Sequence, residues 1–119
     1  MDTAGTLVVA DLTNDVVQIL PSEERARTPL RDLHECTWRA TGDADPLVDP
    51  QGVALDAYGN VYVAASGRPC VSVLDLLEGR RLTYDLDHAP DSLALTPDGK
   101  ALYVTSGSSN LIWVMRIKR

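Results

Sequence analysis

The sequence predicts an all-β fold of antiparallel four-stranded units. Two observations carry the prediction. First, DPQGVALDAYGNVYVAASG at residues 49–67 recurs as APDSLALTPDGKALYVTSG at residues 89–107, with Pro50 and Pro90 40 residues apart. Second, the residues between the turns are Val, Leu, Ala, Ile and Tyr in short runs with period-two alternation, which suits strands and not helices. A repeat of this period built from short strands is the mark of β-propeller blades.

The elements follow in order. Residues 5–11, GTLVVAD, and 16–20, VVQIL, flank the turn Thr13-Asn14-Asp15 and read as a hairpin. Residues 21–48 break the pattern with Pro21, Pro29 and Pro46 and the charges Glu23, Glu24, Arg25, Arg27, Arg31 and Asp32. This irregular insert holds one short strand candidate, 36–40, and residues 22–34 are expected to be its most mobile part. Residues 49–88 make one complete unit: strands 52–56, 61–65, 70–75 and 81–86, with turns at Ala57-Tyr58-Gly59-Asn60 and Ser66-Gly67-Arg68-Pro69. Residues 89–117 repeat its first three strands, 92–96, 101–105 and 111–115, around the turn Pro97-Asp98-Gly99-Lys100. In that turn Pro presets φ and Gly accepts φ > 0.

The opening hairpin aligns with the second and third strands of a unit, so that Gly5 matches Gly59 and Val9 matches Val63. With strands labelled a to d from the centre outward, the chain reads b-c-(d)-a-b-c-d-a-b-c. At 119 residues it is a single partial domain, because four blades of about 40 residues need about 160.

These residues resemble the NHL and YVTN-type β-propeller repeats. GTLVVADLTNDVVQIL is similar to the NHL repeat half, and PDGKALYVTSGSSNLIWVMRI to the YVTN repeat half. The resemblance covers residues 5–20 and 49–117. It implies an incomplete propeller of about two and a half blades, a scaffold built mainly for binding. Related propellers bind proteins, RNA or carbohydrate, and some are lactonases or lyases with a site at the central channel. The repeat motif carries structure, so no catalytic residue transfers to this chain.

Composition narrows the partners. The net charge of −6 opposes nucleic-acid backbones and anionic membranes, and the one basic cluster is Arg116, Lys118 and Arg119. No apolar run approaches the ~20 residues of a membrane span. The opening MDTAGTLVVADLTND has no basic n-region and no apolar h-region, which sets the expectation of a cytoplasmic chain.

Candidate chemistry is thin. Asp43, Asp45 and Asp49 form an acidic cluster without the glycine and closing Glu of a calcium loop, and read as a solvated loop. His34 and Cys36 have only Cys70 and His88 as further soft ligands, too few and too distant for a zinc signature. The two cysteines, Cys36 and Cys70, read as free thiols. Asp56, Asp75, Asp85, Asp87 and Asp91 sit at strand ends, where Asp caps backbone N–H groups. Ser66, Ser106, Ser108 and Ser109 lack a nucleophile-elbow context. No catalytic residue, metal site or cofactor is assigned. Tyr62 and Tyr103 share a repeat position and read as packing between blades. The interface candidates are Trp38 with Arg39, a residue pair suited to anchoring contacts, and Leu111 and Trp113 of the last strand, expected with Ile112 and Val114 on the open face of the end blade.

The expected function is a non-catalytic binding or assembly module whose partner is protein, either another copy or the rest of a propeller. The alternative is a fragment or subunit of a propeller enzyme of the lactonase or lyase type.

Overall fold

A computed structural model describes residues 7–11, 16–20, 37–38, 48–75 and 80–117. Among them are ten strands: β1 Leu7–Asp11, β2 Val16–Leu20, β3 Thr37–Trp38, β4 Pro50–Leu55, β5 Asn60–Ala65, β6 Cys70–Asp75, β7 Arg81–Asp85, β8 Ser92–Leu95, β9 Ala101–Ser106 and β10 Leu111–Arg116. They form three antiparallel sheets, β1-β2-β3, β4-β5-β6-β7 and β8-β9-β10. The expected mobile stretch 22–34 lies outside the described residues. So do Asp43, Asp45, His34, Cys36 and Arg39.

Register verifies the repeat alignment. Val9 pairs with Gln18 as Val63 pairs with Ser72, and Tyr103 pairs with Val114 as Tyr62 pairs with Val73. The complete sheet begins two residues earlier than the alternation suggests, at Pro50, because a bulge between Pro50 and Gly52 lets the proline sit at the strand start.

Strand parity divides the middle sheet into two apolar faces. Val61, Val63, Ala65, Cys70 and Leu74 point to one side and pack with Val17 and Val8 of the first sheet. Tyr62 and Val71 point to the other and pack with Leu102 and Val104 of the third, ringed by Ala54, Val73, Leu86, Leu93, Leu95, Trp113, Met115 and Ile117. Val17, Val61, Val63, Val71 and Val104 are fully buried, and each contributes about 1.5–3 kcal/mol over an exposed side chain. A sheet that buries both faces reads as a near-continuous apolar run, as Val61–Ala65 does.

The innermost strand β4 lies beside both β1 and β8. Gly52 makes that approach close: a Cβ there would stand 3.3 Å from Leu93 N and from Ser92 Cα. Among the described residues no helix is long and apolar enough to cross a membrane.

Candidate interaction surface

Strand β9 presents Leu102, Val104 and Ser106 to the middle sheet and buries them. Tyr103 therefore points the other way. Register carries the parity across: Val104 faces Trp113 and Leu102 faces Met115, while Tyr103 faces Val114 and Thr105 faces Ile112. Tyr103, Ile112 and Val114 form an exposed apolar row on the outer face of the third sheet.

The equivalent row one unit earlier is covered. Tyr62, Val71 and Val73 hold the same positions one unit earlier. Tyr62 is 3% exposed and Val71 0%, because the third sheet covers them. Their counterparts Tyr103 and Ile112 are 44% and 68% exposed. At the other end Val9, whose counterpart Val63 is fully buried, is also exposed.

Leu111 and Trp113 do not lie on the outer face with Ile112 and Val114. They share the parity of Val104, and Trp113 packs against the cluster beneath the third sheet. Trp38 is in β3, opposite Val17, and its side chain lies outside the described residues. Sequence reasoning missed Leu82 and Tyr84, which stand exposed on β7. Their register partners Val73 and Val71 carry them toward the third sheet. The alternation Leu-Thr-Tyr was the signal for them.

These two side chains overlook a cleft of about 390 Å³ between the middle and third sheets, with Tyr62, Val73, Met115, Arg116 and Ile117 along its walls. A second cleft, about 270 Å³, lies between the equivalent turns at Asp56–Tyr58 and Thr96–Gly99.

The carboxylates near that second cleft are occupied with holding turns. Asp56 Oδ1 accepts from Tyr58 N (2.8 Å) and Asn60 N (2.9 Å), and Oδ2 from Asn60 Nδ2 and the Tyr62 hydroxyl (both 3.0 Å). Burial pushes this carboxyl up, yet the hydrogen bonds outweigh it and hold its pKa below the ordinary value. Asp98 is exposed and is held low by the Thr96 hydroxyl (2.7 Å) and Lys100 N (3.0 Å). At the opposite end of β8, away from this cleft, Asp91 accepts from Gly107 N (2.6 Å) and the Thr105 hydroxyl (3.0 Å). At Asp56 and Asp91 these are the backbone caps expected of strand-end Asp.

Asp49 has a positive φ of 54° and its carbonyl accepts from Ser66 N at 3.0 Å. Ser109 meets His88 Nδ1 at 3.2 Å. Cys70 is a free, buried thiol, pushed up by burial. No group of three or more His, Cys, Asp or Glu among the described residues is placed to hold a metal ion.

Three antiparallel sheets, stacked face to face with their first strands together, define an incomplete β-propeller. No family model matches the chain, and no curated protein matches it. Among solved structures it is similar to hydrazine synthase of Kuenenia stuttgartiensis, a β-propeller protein, at 21% identity with a TM-score of 0.70. The match covers 98% of this chain and 31% of that one, so the chain spans about a third of its length. At this identity the likeness speaks for the fold.

Proposed function

We propose that the chain is a non-catalytic binding and assembly module of NHL/YVTN-like propeller blades, and that its partner is another blade-bearing protein surface. The observation that carries this reading is the exposure of Tyr103 and Ile112 at positions where Tyr62 and Val71 are covered. Apolar patches of this kind are sites of protein contact. By the repeat rule, the outer face of the third sheet accepts a sheet that presents the face on which Val9 lies. A second copy offers that face, and so does the rest of a propeller.

Light scattering at micromolar concentration tests it. The expected mass exceeds that of the 12.9 kDa chain and falls to it when Ile112 and Val114 are both changed to Asp. A monodisperse 12.9 kDa particle for the unchanged chain would overturn the reading.

A further inference from the structure

The parity of β10 determines which of its main-chain groups are in use. Ile117 N donates to Lys100 O at 2.8 Å, which makes these two a hydrogen-bonded pair of the antiparallel ladder. Such pairs recur at every second residue. Met115, Trp113 and Leu111 thus exchange bonds with β9, and the N–H and C=O groups of Ile112, Val114 and Arg116 point to the opposite edge. No strand among the described residues lies there. The middle sheet has the same parity: Asp75 N donates to Arg80 O at 2.8 Å, so Val73 and Val71 bond to β7. The edge that β7 fills in the middle sheet is therefore presented again by the third.

Beside this edge lies the 390 Å³ cleft. The four-stranded sheet overhangs the three-stranded one by the width of β7, and Leu82 and Tyr84 stand exposed above the place of a fourth strand. Tyr62, Val71 and Leu102 belong both to the cleft wall and to the packed cluster between the sheets. The cleft continues an interface that is already formed.

We propose that the β10 edge and this cleft bind an extended segment of a partner polypeptide, which adds antiparallel to β10 as the fourth strand of the third sheet. Its residues opposite Ile112 and Val114 make the main-chain bonds. Its residues opposite Leu111, Trp113 and Met115 turn into the cleft toward Leu82 and Tyr84, and are apolar. At those three positions β7 itself carries Asp85, Thr83 and Arg81, so the incoming strand is unlike β7.

The apolar alternation that the cleft requires favours an occupant from outside residues 1–119. Residues 1–6, 21–36 and 39–47 carry charges, prolines and small polar residues in place of an apolar alternation. The β10 strand of a second copy has the alternation, but a two-fold pairing of β10 with β10 drives the overhanging β7 of each copy into the other's middle sheet. A single strand meets no such obstacle. The proposal does not depend on the outer face of the third sheet being covered.

Amide hydrogen exchange on the full chain tests it. The probe is a synthetic peptide with the sequence of residues 80–86 carrying Arg81→Val, Thr83→Val and Asp85→Val. The unmodified peptide is the control. Millimolar probe is expected to slow exchange at Ile112 and Val114 by about tenfold or more, and the control to have little effect. Leu82→Asp should weaken the protection without touching the edge. Val114→Pro should abolish it, since this N–H is unused within the sheet and an edge strand tolerates proline. Three results would overturn the proposal. One is equal protection by both peptides. Another is undiminished probe binding to Leu82→Asp or Val114→Pro. The third is slow exchange at Ile112 and Val114 without probe, which would mean that the chain or a second copy covers the edge. Probe-dependent protection reports on the edge, whereas a fall in solution mass on changing the outer-face residues Ile112 and Val114 to Asp reports on the outer face.

Discussion

Tyr62 and Tyr103 hold the same place in successive sheets and meet opposite surroundings. Tyr62 lies under Leu102 and Val104, with its hydroxyl donating to Asp56. Tyr103 projects from the outer face beside Val114. The pair is an internal control, because the residue and the strand position are constant and only the covering sheet differs.

Tyr62→Ala removes a ring from a packed interface and leaves a cavity, with an expected loss of about 3–5 kcal/mol. Tyr103→Ala removes an exposed ring, and in the isolated chain its cost stays within about 0.5 kcal/mol. Urea titrations of both variants check the contrast. Equal losses would mean that Tyr103 is covered as Tyr62 is and that the outer face is not open.

The run Leu111–Met115 marks where sequence reading stops. The period of the repeat was legible because its turns recur with its strands. The first hairpin could be aligned over its whole length, which sets Gly5 on Gly59 and Val9 on Val63. In Leu111-Ile112-Trp113-Val114-Met115, however, both parities are apolar, so alternation has nothing to report. Only the register with Leu102 and Val104 assigns Trp113 to the packed side and Ile112 to the open one. The cleft was illegible for a related reason. Leu82 and Tyr84 are visible as an alternation, but their exposure depends on the width of a different sheet.

Asp56 links a turn to a sheet interface, so its removal should be felt in both. Asp56→Ala removes the acceptor shared by the buried Tyr62 hydroxyl and two backbone N–H groups of the turn. The expected cost is about 1–3 kcal/mol for the lost acceptor. Adding Tyr62→Phe removes the donor of that hydrogen bond as well. The double variant should lose less than the sum of the singles, as neighbours in one network do. Strict additivity in denaturant melts would refute the coupling.

The same carboxylate sets a pH dependence. Its folded-state pKa is depressed below 3.8, so the unfolded chain takes up the proton first. The stabilisation is complete above the ordinary carboxylate value. It is lost as pH falls through that value and on through the depressed one. Melting temperature should therefore hold between pH 7 and 5 on this group's account and drop below about pH 4. Asp56→Asn should flatten that drop. Asp98, depressed as well but fully exposed, is screened by solvent and adds little. An acid limb unchanged in Asp56→Asn would count against the assignment.

Gly59 and Gly99 close equivalent turns with φ of 88° and 71°. In the first, Asp56 N donates to Asn60 O. In the second, one residue longer, Thr96 N donates to Ala101 O and Gly99 N to Thr96 O. Both conformations lie in the left-handed region, which a β-branched residue enters only with strain. Gly99→Val should lower stability by about 1 kcal/mol or more. Gly99→Asn should lower it less, since Asn tolerates this region, as Asn110 does here at φ 54°. Gly59 is buried and Gly99 only half-buried. At φ 88° Gly59 lies further from the left-handed minimum at about +57° than Gly99 does at 71°, so Gly59→Val should cost more than Gly99→Val. Denaturation midpoints of the three variants measure the order. A Gly99→Val midpoint equal to that of the unchanged chain would show that the turn relaxes at no cost and that its register with β9 is set elsewhere.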